Sequence, residues 1–247
     1  MMNRDLKFFL KDTIRKMVDF SNTAQSRGVE PPPLEKPYPP TAATVALPSP
    51  DGWPGIGAVS VKKAVADRKS HRTFKAEALS LEELSFLLWA TQGMRRSPSA
   101  TAYRTVPSAG CRHALETYLA VFRVEGLALG LYRYLPVEHA LLPLETPDQL
   151  DARLGQAAFN QRFVAHGAAT FLWTTVPERM EWRYGDASYK VIALDAGHVC
   201  QNLYLGCEAV RAGTCAIAAY DQEAADALLG LDGETEFVIY MAPVGKI

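Results

Sequence analysis

The chain has 247 residues, 48% of them hydrophobic, and a formal net charge of −1. That length holds one sizeable core or two small domains. The balanced, interspersed charge excludes a global basic field for nucleic acid or an anionic membrane, and no run approaches the ~20 apolar residues of a membrane span.

In chain order, Leu6, Phe9, Leu10, Ile14, Met17 and Val18 recur at helical spacing between charged residues. This predicts an amphipathic helix of about four to five turns. The same stretch lacks a signal-peptide core, so a reduced, cytoplasmic protein is expected. Residues 29–57 contain Pro31-Pro32-Pro33 and Pro39-Pro40 and read as an extended arm. Leu34, Tyr38, Val45, Leu47 and Trp53 would lay that arm on a surface. The expected organisation is an N-terminal helix and proline-rich arm over 1–57, then one main domain over 58–247.

Gly55-Ile56-Gly57 begins a GxGxxG pattern, but Ser60 stands at the third glycine and no strand leads in. A dinucleotide fold of that kind is excluded, and no GxxxxGK[ST] loop exists. Any cofactor phosphate must therefore be held by side chains. Arg68-Lys69-Ser70-His71-Arg72 offers two guanidiniums, an ammonium and a hydroxyl. Arginine's fork matches phosphate oxygens, although a solvated charge run before a helix would read the same way.

Ser80-Leu81-Glu82-Glu83 is a capping box, and Leu84, Leu87 and Leu88 carry the helix towards Gly93. Residues 94–110 read as loop, ending in Pro107-Ser108-Ala109-Gly110. Glu116 to Val124 and Leu131 to Tyr134 read as neighbouring strands. Asp148 to Phe163 reads as helix and Thr170 to Val176 as a buried strand. The longest helix runs from about Ser188 to Val210, and Phe237 to Ala242 is a last strand. Helices and strands interspersed without βαβ repeats favour α+β, with helices on a mixed sheet. The four cysteines form no CxxC pair and read as buried thiols. His113, His139 and His166 share no metal spacing, so no metal site is expected. Asp195 and His198 stand i, i+3 on the long helix, where either a structural role or an acid/base pair would fit.

Arg68 to Phe74, Pro107 to Gly110, Tyr184-Gly185 with Leu194 to His198, Gly213 to Ile217, and Pro243 to Lys246 occur in this order. Together they resemble the flavin-binding nitroreductase superfamily and, within it, the SagB-type dehydrogenases. The resemblance implies an FMN-dependent oxidoreductase: a mixed central sheet flanked by helices, in an intertwined homodimer with the flavin at the interface. It implies that Arg68, Ser70 and Arg72, with Lys69 between them, hold the FMN phosphate and ribityl chain, completed by Lys246. Pro107, Ser108, Ala109 and Gly110 would form the loop over the flavin, serving it across the interface. Ile217, Ala218 and Ala219 would pass its reactive edge, with Ala218 where the family pattern has glycine. Gln161 would reach the ring or ribityl group. Asp195 and His198 would belong to helix core and dimer contact.

Tyr184 matches the tyrosine of a Lys-Tyr pair that azoline-oxidising SagB-type enzymes use for proton abstraction. Arg183 replaces the lysine. An arginine stays protonated and is a poor base, but it can bind an anionic substrate or steady developing negative charge. Three functions follow from the resemblance. One is dehydrogenation of a small-molecule or peptide substrate. Another is reduction of nitro compounds or quinones with NAD(P)H as electron donor. The third is flavin binding without efficient turnover. No peptide-recruiting domain is recognisable in the chain.

Overall fold

The computed structural model describes residues 6–50, 52–95 and 102–247. Its centre is a seven-stranded sheet in the order β1-β4-β3-β2-β5-β7-β6. The strands are β1 (Val45–Ala46), β2 (Leu115–Val121), β3 (Gly130–Leu135), β4 (Ala140–Pro143), β5 (Ala169–Thr175), β6 (Ala212–Thr214) and β7 (Phe237–Lys246). A mixed sheet was the expectation, yet every pairing between these strands is antiparallel. The meander β2-β3-β4 reverses at each turn, and β7 runs against both of its neighbours. Parallel pairing among the described residues is confined to isolated bridges at Ser70–Thr214 and Leu79–Val124.

Every residue of β2 and β5 is buried, because helices cover both faces. On one face, α2 (Leu81–Gln92) and α5 (Ser188–Ala209) pack Leu84, Leu87, Leu88, Val199 and Leu203 against Phe171 and Trp173. On the other, α3 (Leu150–Ala157) and α6 (Gln222–Leu228) pack Leu154 and Leu228 against Tyr118, Leu172 and Met241. The capping box at Ser80 and Glu83 forms in both directions. The short helices α1 (Val61–Asp67), capped by Ser60, and α4 (Glu178–Tyr184) complete the set.

Two expected helices differ. Asp148 to Phe163 is helical only over α3, because Phe159 and Asn160 take positive φ (51° and 62°) and turn the chain. The N-terminal amphipathic helix is replaced by three 3-10 turns, Leu6–Leu10, Asp12–Lys16 and Phe20–Asn22. An isolated helix draws most of its stability from a packed face. Here Phe9, Leu10 and Met17 stay exposed, and only Ile14, Val18 and Phe20 reach partial cover. No helix among the described residues is long and apolar enough to cross a membrane. All four cysteines are free, and Cys200, Cys207 and Cys215 are buried.

The proline arm is strapped to the sheet by its backbone. Arg104 donates to the Leu34 carbonyl (2.8 Å) and Arg133 to that of Lys36 (2.7 Å), while the Lys36 amide donates to Glu116 (2.7 Å). Trp53 meets Phe86 and Trp89 edge-on at 5.3 and 5.2 Å. Beside this strap, burial first, opposed by the Val137 amide and joined by Glu138 and Glu116, pushes the Glu35 carboxyl up to about 7. A carboxyl raised above its unfolded value stabilises the fold at low pH, and that contribution fades as pH rises through about 7. Limited proteolysis within residues 29–40 should therefore run faster at pH 8.5 than at pH 6 by a factor of about three. Glu35→Gln should flatten the difference.

Candidate active site

Long helix α5 organises two clusters of the expected residues. The first gathers around Tyr204. The Tyr204 hydroxyl shares a 2.8 Å hydrogen bond with Ser70 and accepts the Ala216 amide at 2.9 Å. The Arg68 guanidinium lies over its ring at 5.3 Å. The His71 amide donates to the Thr214 carbonyl at 2.9 Å, so segment 68–72 is laid along β6. Contact there is close, since a Cβ on Gly213 would come within 2.7 Å of His71. Arg72 reaches over Phe163 (5.9 Å), in the 3-10 turn that follows Gln161. Gln161 in turn donates to the carbonyls of Ala158 and Ala219, both at 3.0 Å. The structure thus brings Arg68, Ser70 and Arg72 towards Gln161 and the 217–219 segment.

Ile217 is buried and pairs its backbone with Met241, whereas Ala218 and Ala219 are exposed. Ala218 does not have a positive φ, so alanine in place of glycine carries no backbone strain there.

The donor set suits a phosphate. Arg68 is half-buried, and Lys69, Ser70 and Arg72 are exposed. Among the described residues none of the three cations pairs with a carboxylate. Beside them the Thr214 hydroxyl is buried without a hydrogen-bond partner. Cations without a carboxylate partner favour an anion. Lys246 stands apart from this set. Its ammonium ion-pairs with Glu83 and donates to the Val210 carbonyl at 2.9 Å, and it makes no hydrogen bond to segment 68–72. Its charge is already neutralised where it lies.

The second cluster gathers around Asp195, nine residues before Tyr204 and so about 13 Å away along the helix. Asp195 is 5% exposed and accepts the Ala109 amide with both oxygens at 3.3 Å. Burial raises its pKa, while hydrogen bonds from Ser108 and Ala109 pull it back. Asp195 thus fixes the Pro107–Gly110 loop. His198 is half-exposed and lies 3.9 Å from its carboxylate. The loop continues through Gly110, Cys111 and His113, all at positive φ (57°, 53° and 48°). Left-handed non-glycine residues cost about 1–3 kcal/mol each and gather at ligand-handling loops.

Arg183 and Tyr184, at the end of α4, press against this loop. A Cβ on Gly110 would lie 2.7 Å from the Arg183 side chain and 2.8 Å from the Tyr184 hydroxyl, so a larger residue would displace both, and the positive φ adds backbone strain. Arg15, from the N-terminal turns, lies over the Tyr184 ring at 5.9 Å, and Gln25 accepts from Arg183 at 3.1 Å. Tyr204, Arg15 and Gln25 gave no signal in the sequence. Tyr204 sits inside an apolar helix, and the others join the site only through tertiary contact.

A separate 740 Å³ cleft lies between the proline arm, the start of α4 and residues 230–237. Its rim carries Glu35, Glu178, Glu181, Asp232, Glu234 and Glu236, which would repel a phosphate, and it contains none of the expected cofactor residues.

Residues 65–246 match the model of the nitroreductase family. The chain belongs to that family. A protein of Methanocaldococcus jannaschii named as a nitroreductase is 30% identical over 194 residues, covering 78% of this chain and 94% of the relative. A Ralstonia eutropha JMP134 crystal structure, also described as a nitroreductase, superposes with a TM-score of 0.68 at 26% identity, over 87% of this chain and 97% of that one. A chain of the Escherichia coli microcin synthetase McbBCD, solved with truncated pro-MccB17 bound, superposes at 0.62 and 19% identity, over 78% and 76%. The fold of this family member is nitroreductase-like, and its family is one of flavin-dependent oxidoreductases.

Proposed function

We propose that the chain is an FMN-dependent oxidoreductase, active as a homodimer on a substrate that meets Tyr184. The observation that carries this reading is the unpaired set Arg68, Lys69, Ser70 and Arg72, anchored through Tyr204 to the β6 edge. Those residues would hold the FMN phosphate and ribityl chain. Lys246 would join them only by exchanging Glu83 for phosphate. Ile217, Ala218, Ala219 and Gln161 would border the ring. Bound FMN supplies hydride transfer at N5, chemistry that no side chain here offers. The protein positions the partners, excludes water and manages the proton. Tyr184 would exchange that proton with the substrate, and Arg183 would steady negative charge as it develops.

The separation of the two clusters along α5 supports the homodimer reading. A two-fold partner would bring one chain's Pro107–Gly110 loop to the other chain's 68–72 segment. An apolar groove supports such an interface. Ile56, Val59, Val61, Phe86, Trp89 and Leu205 line it, and Val61 is 76% exposed in the single chain.

Within this class we favour dehydrogenation of a small-molecule or peptide substrate. Tyr184 keeps the SagB-type tyrosine, and the similar microcin synthetase chain was solved with a peptide precursor. Anaerobic mixing of the FMN-loaded protein with NADPH tests this directly. Slow bleaching of flavin absorbance by NADPH, with full reduction by dithionite and recovery in air, is the expected result. Rapid bleaching by NADPH would replace it with the NAD(P)H-driven nitro or quinone reductase reading. A bound flavin that is neither reduced nor reoxidised would leave a flavin-binding protein without turnover.

A further inference from the structure

Arg112 is only 8% exposed, and its Nε donates to the Arg179 carbonyl at 3.1 Å. Its guanidinium lies over Trp182, 4.5 Å from the ring centroid. Among the described residues its two terminal nitrogens donate to nothing, no carboxylate pairs with it, and both nitrogens keep some solvent access. The charges around it are cationic. Burial first, then Arg183 and Arg179, hold its pKa below the usual arginine value. Arg179 is neutralised by Glu116 at 2.5 Å. Among the described residues Arg183 has no such partner and donates to the Gln25 amide oxygen at 3.1 Å.

The acids nearby are already engaged. Asp195 holds the Ala109 amide, Glu181 accepts from Tyr189 at 2.8 Å, and Asp12 pairs with Arg15 at 2.9 Å. Two cations are thus left uncompensated, one of them largely buried, between the Trp182 and Tyr184 rings and a left-handed loop. Burying unpaired charge is costly, and an anion between the two would offset that cost. A carboxylate is the flat, two-oxygen anion that a guanidinium edge matches in a bidentate manner. The aromatic rings on either side suit a planar body attached to it.

We propose that Arg112 and Arg183 form a carboxylate subsite beside Tyr184, and that the substrate is a planar molecule bearing a carboxylate. The assignment rests on Tyr184 as the substrate-facing residue. It adds the chemical class of what Tyr184 meets.

The test is calorimetric titration of the FMN-loaded protein with benzoate and with benzamide, its neutral isostere, flavin content being read separately by absorbance. Benzoate should bind about tenfold or more tighter than benzamide. Arg183→Gln and Arg112→Gln should each erase that preference without lowering flavin content, and Arg183→Lys should keep part of it. Should Arg112→Gln fail to fold, Arg183→Gln, at a half-buried position, decides the matter. Equal binding of benzoate and benzamide, a preference that survives Arg183→Gln, or competition by inorganic phosphate as strong as that by benzoate would overturn the proposal. A failure of the FMN reading would appear in the absorbance and leave the benzoate preference intact.

Discussion

Replacing Arg68 and Arg72 together by alanine should weaken FMN binding by about 100-fold or more. Each guanidinium would contribute charge-assisted hydrogen bonds to a phosphate, worth about 1.5–3 kcal/mol apiece, and about 1.4 kcal/mol is a factor of ten in affinity. Among the described residues neither arginine pairs with a carboxylate, so no salt bridge within the protein competes with the phosphate for them. Arg68 also covers the Tyr204 ring, which gives the variant a packing defect as well as a charge defect. Lysine at both positions separates the two effects. It keeps the charge but loses the fork, so affinity should fall between the alanine variant and the native chain. Segment 68–72 is mostly exposed, so uncovering the Tyr204 ring should lower the melting temperature of the apoprotein only modestly. Titration of the apoprotein with FMN, followed by quenching of flavin fluorescence, gives the affinities. Equal affinity in all three proteins would remove the phosphate from this segment.

Glu116→Ala should destabilise the fold by about 3–5 kcal/mol, the usual cost of removing one partner of a buried ion pair. Glu116 is 2% exposed and its Oε1 accepts from both the Arg179 side chain (2.5 Å) and the Lys36 amide (2.7 Å). It also faces Arg104, whose pKa is pulled down to about 10 by burial, with Glu116 as the leading opposing influence. Without the carboxylate, the buried Arg179 loses its ion-pair partner, Arg104 loses its leading counter-charge, and the arm loses an anchor. The helix that carries Arg179 also carries Arg183 and Tyr184, so the damage should reach the active site. Glu116→Gln keeps the acceptor oxygen and should cost clearly less. Urea unfolding monitored by far-UV circular dichroism measures both variants. A loss under about 1 kcal/mol for the alanine variant would show that the charge is not structurally required.

The legible parts of this fold were those written in local pattern. The capping box at Ser80, the long apolar stripe from Ile192 to Val210 and the β-branched and aromatic runs of β2 and β5 each stand alone in the sequence. The short strands β1, β4 and β6 do not, because two to four residues carry no readable period. The N-terminal stripe had the right spacing for a helix but finds too little surface to pack on. At the site, residue types and order pointed to segment 68–72 and the Pro107–Gly110 loop. Their supports were hidden, since Tyr204, Asp195 and Gln161 act through partners 58 to 134 residues away. The Glu83 carboxylate that occupies Lys246 lies 163 residues from it, and only the fold brings the two together.

The most direct measurement is the visible absorbance of the purified protein, followed by identification of whatever chromophore acid or heat releases from it. Flavin absorption bands, with released FMN stoichiometric with the chain either as purified or after incubation with FMN, are the predicted result. A colourless protein that also fails to take up added FMN would contradict the phosphate site, the cofactor and the oxidoreductase reading together.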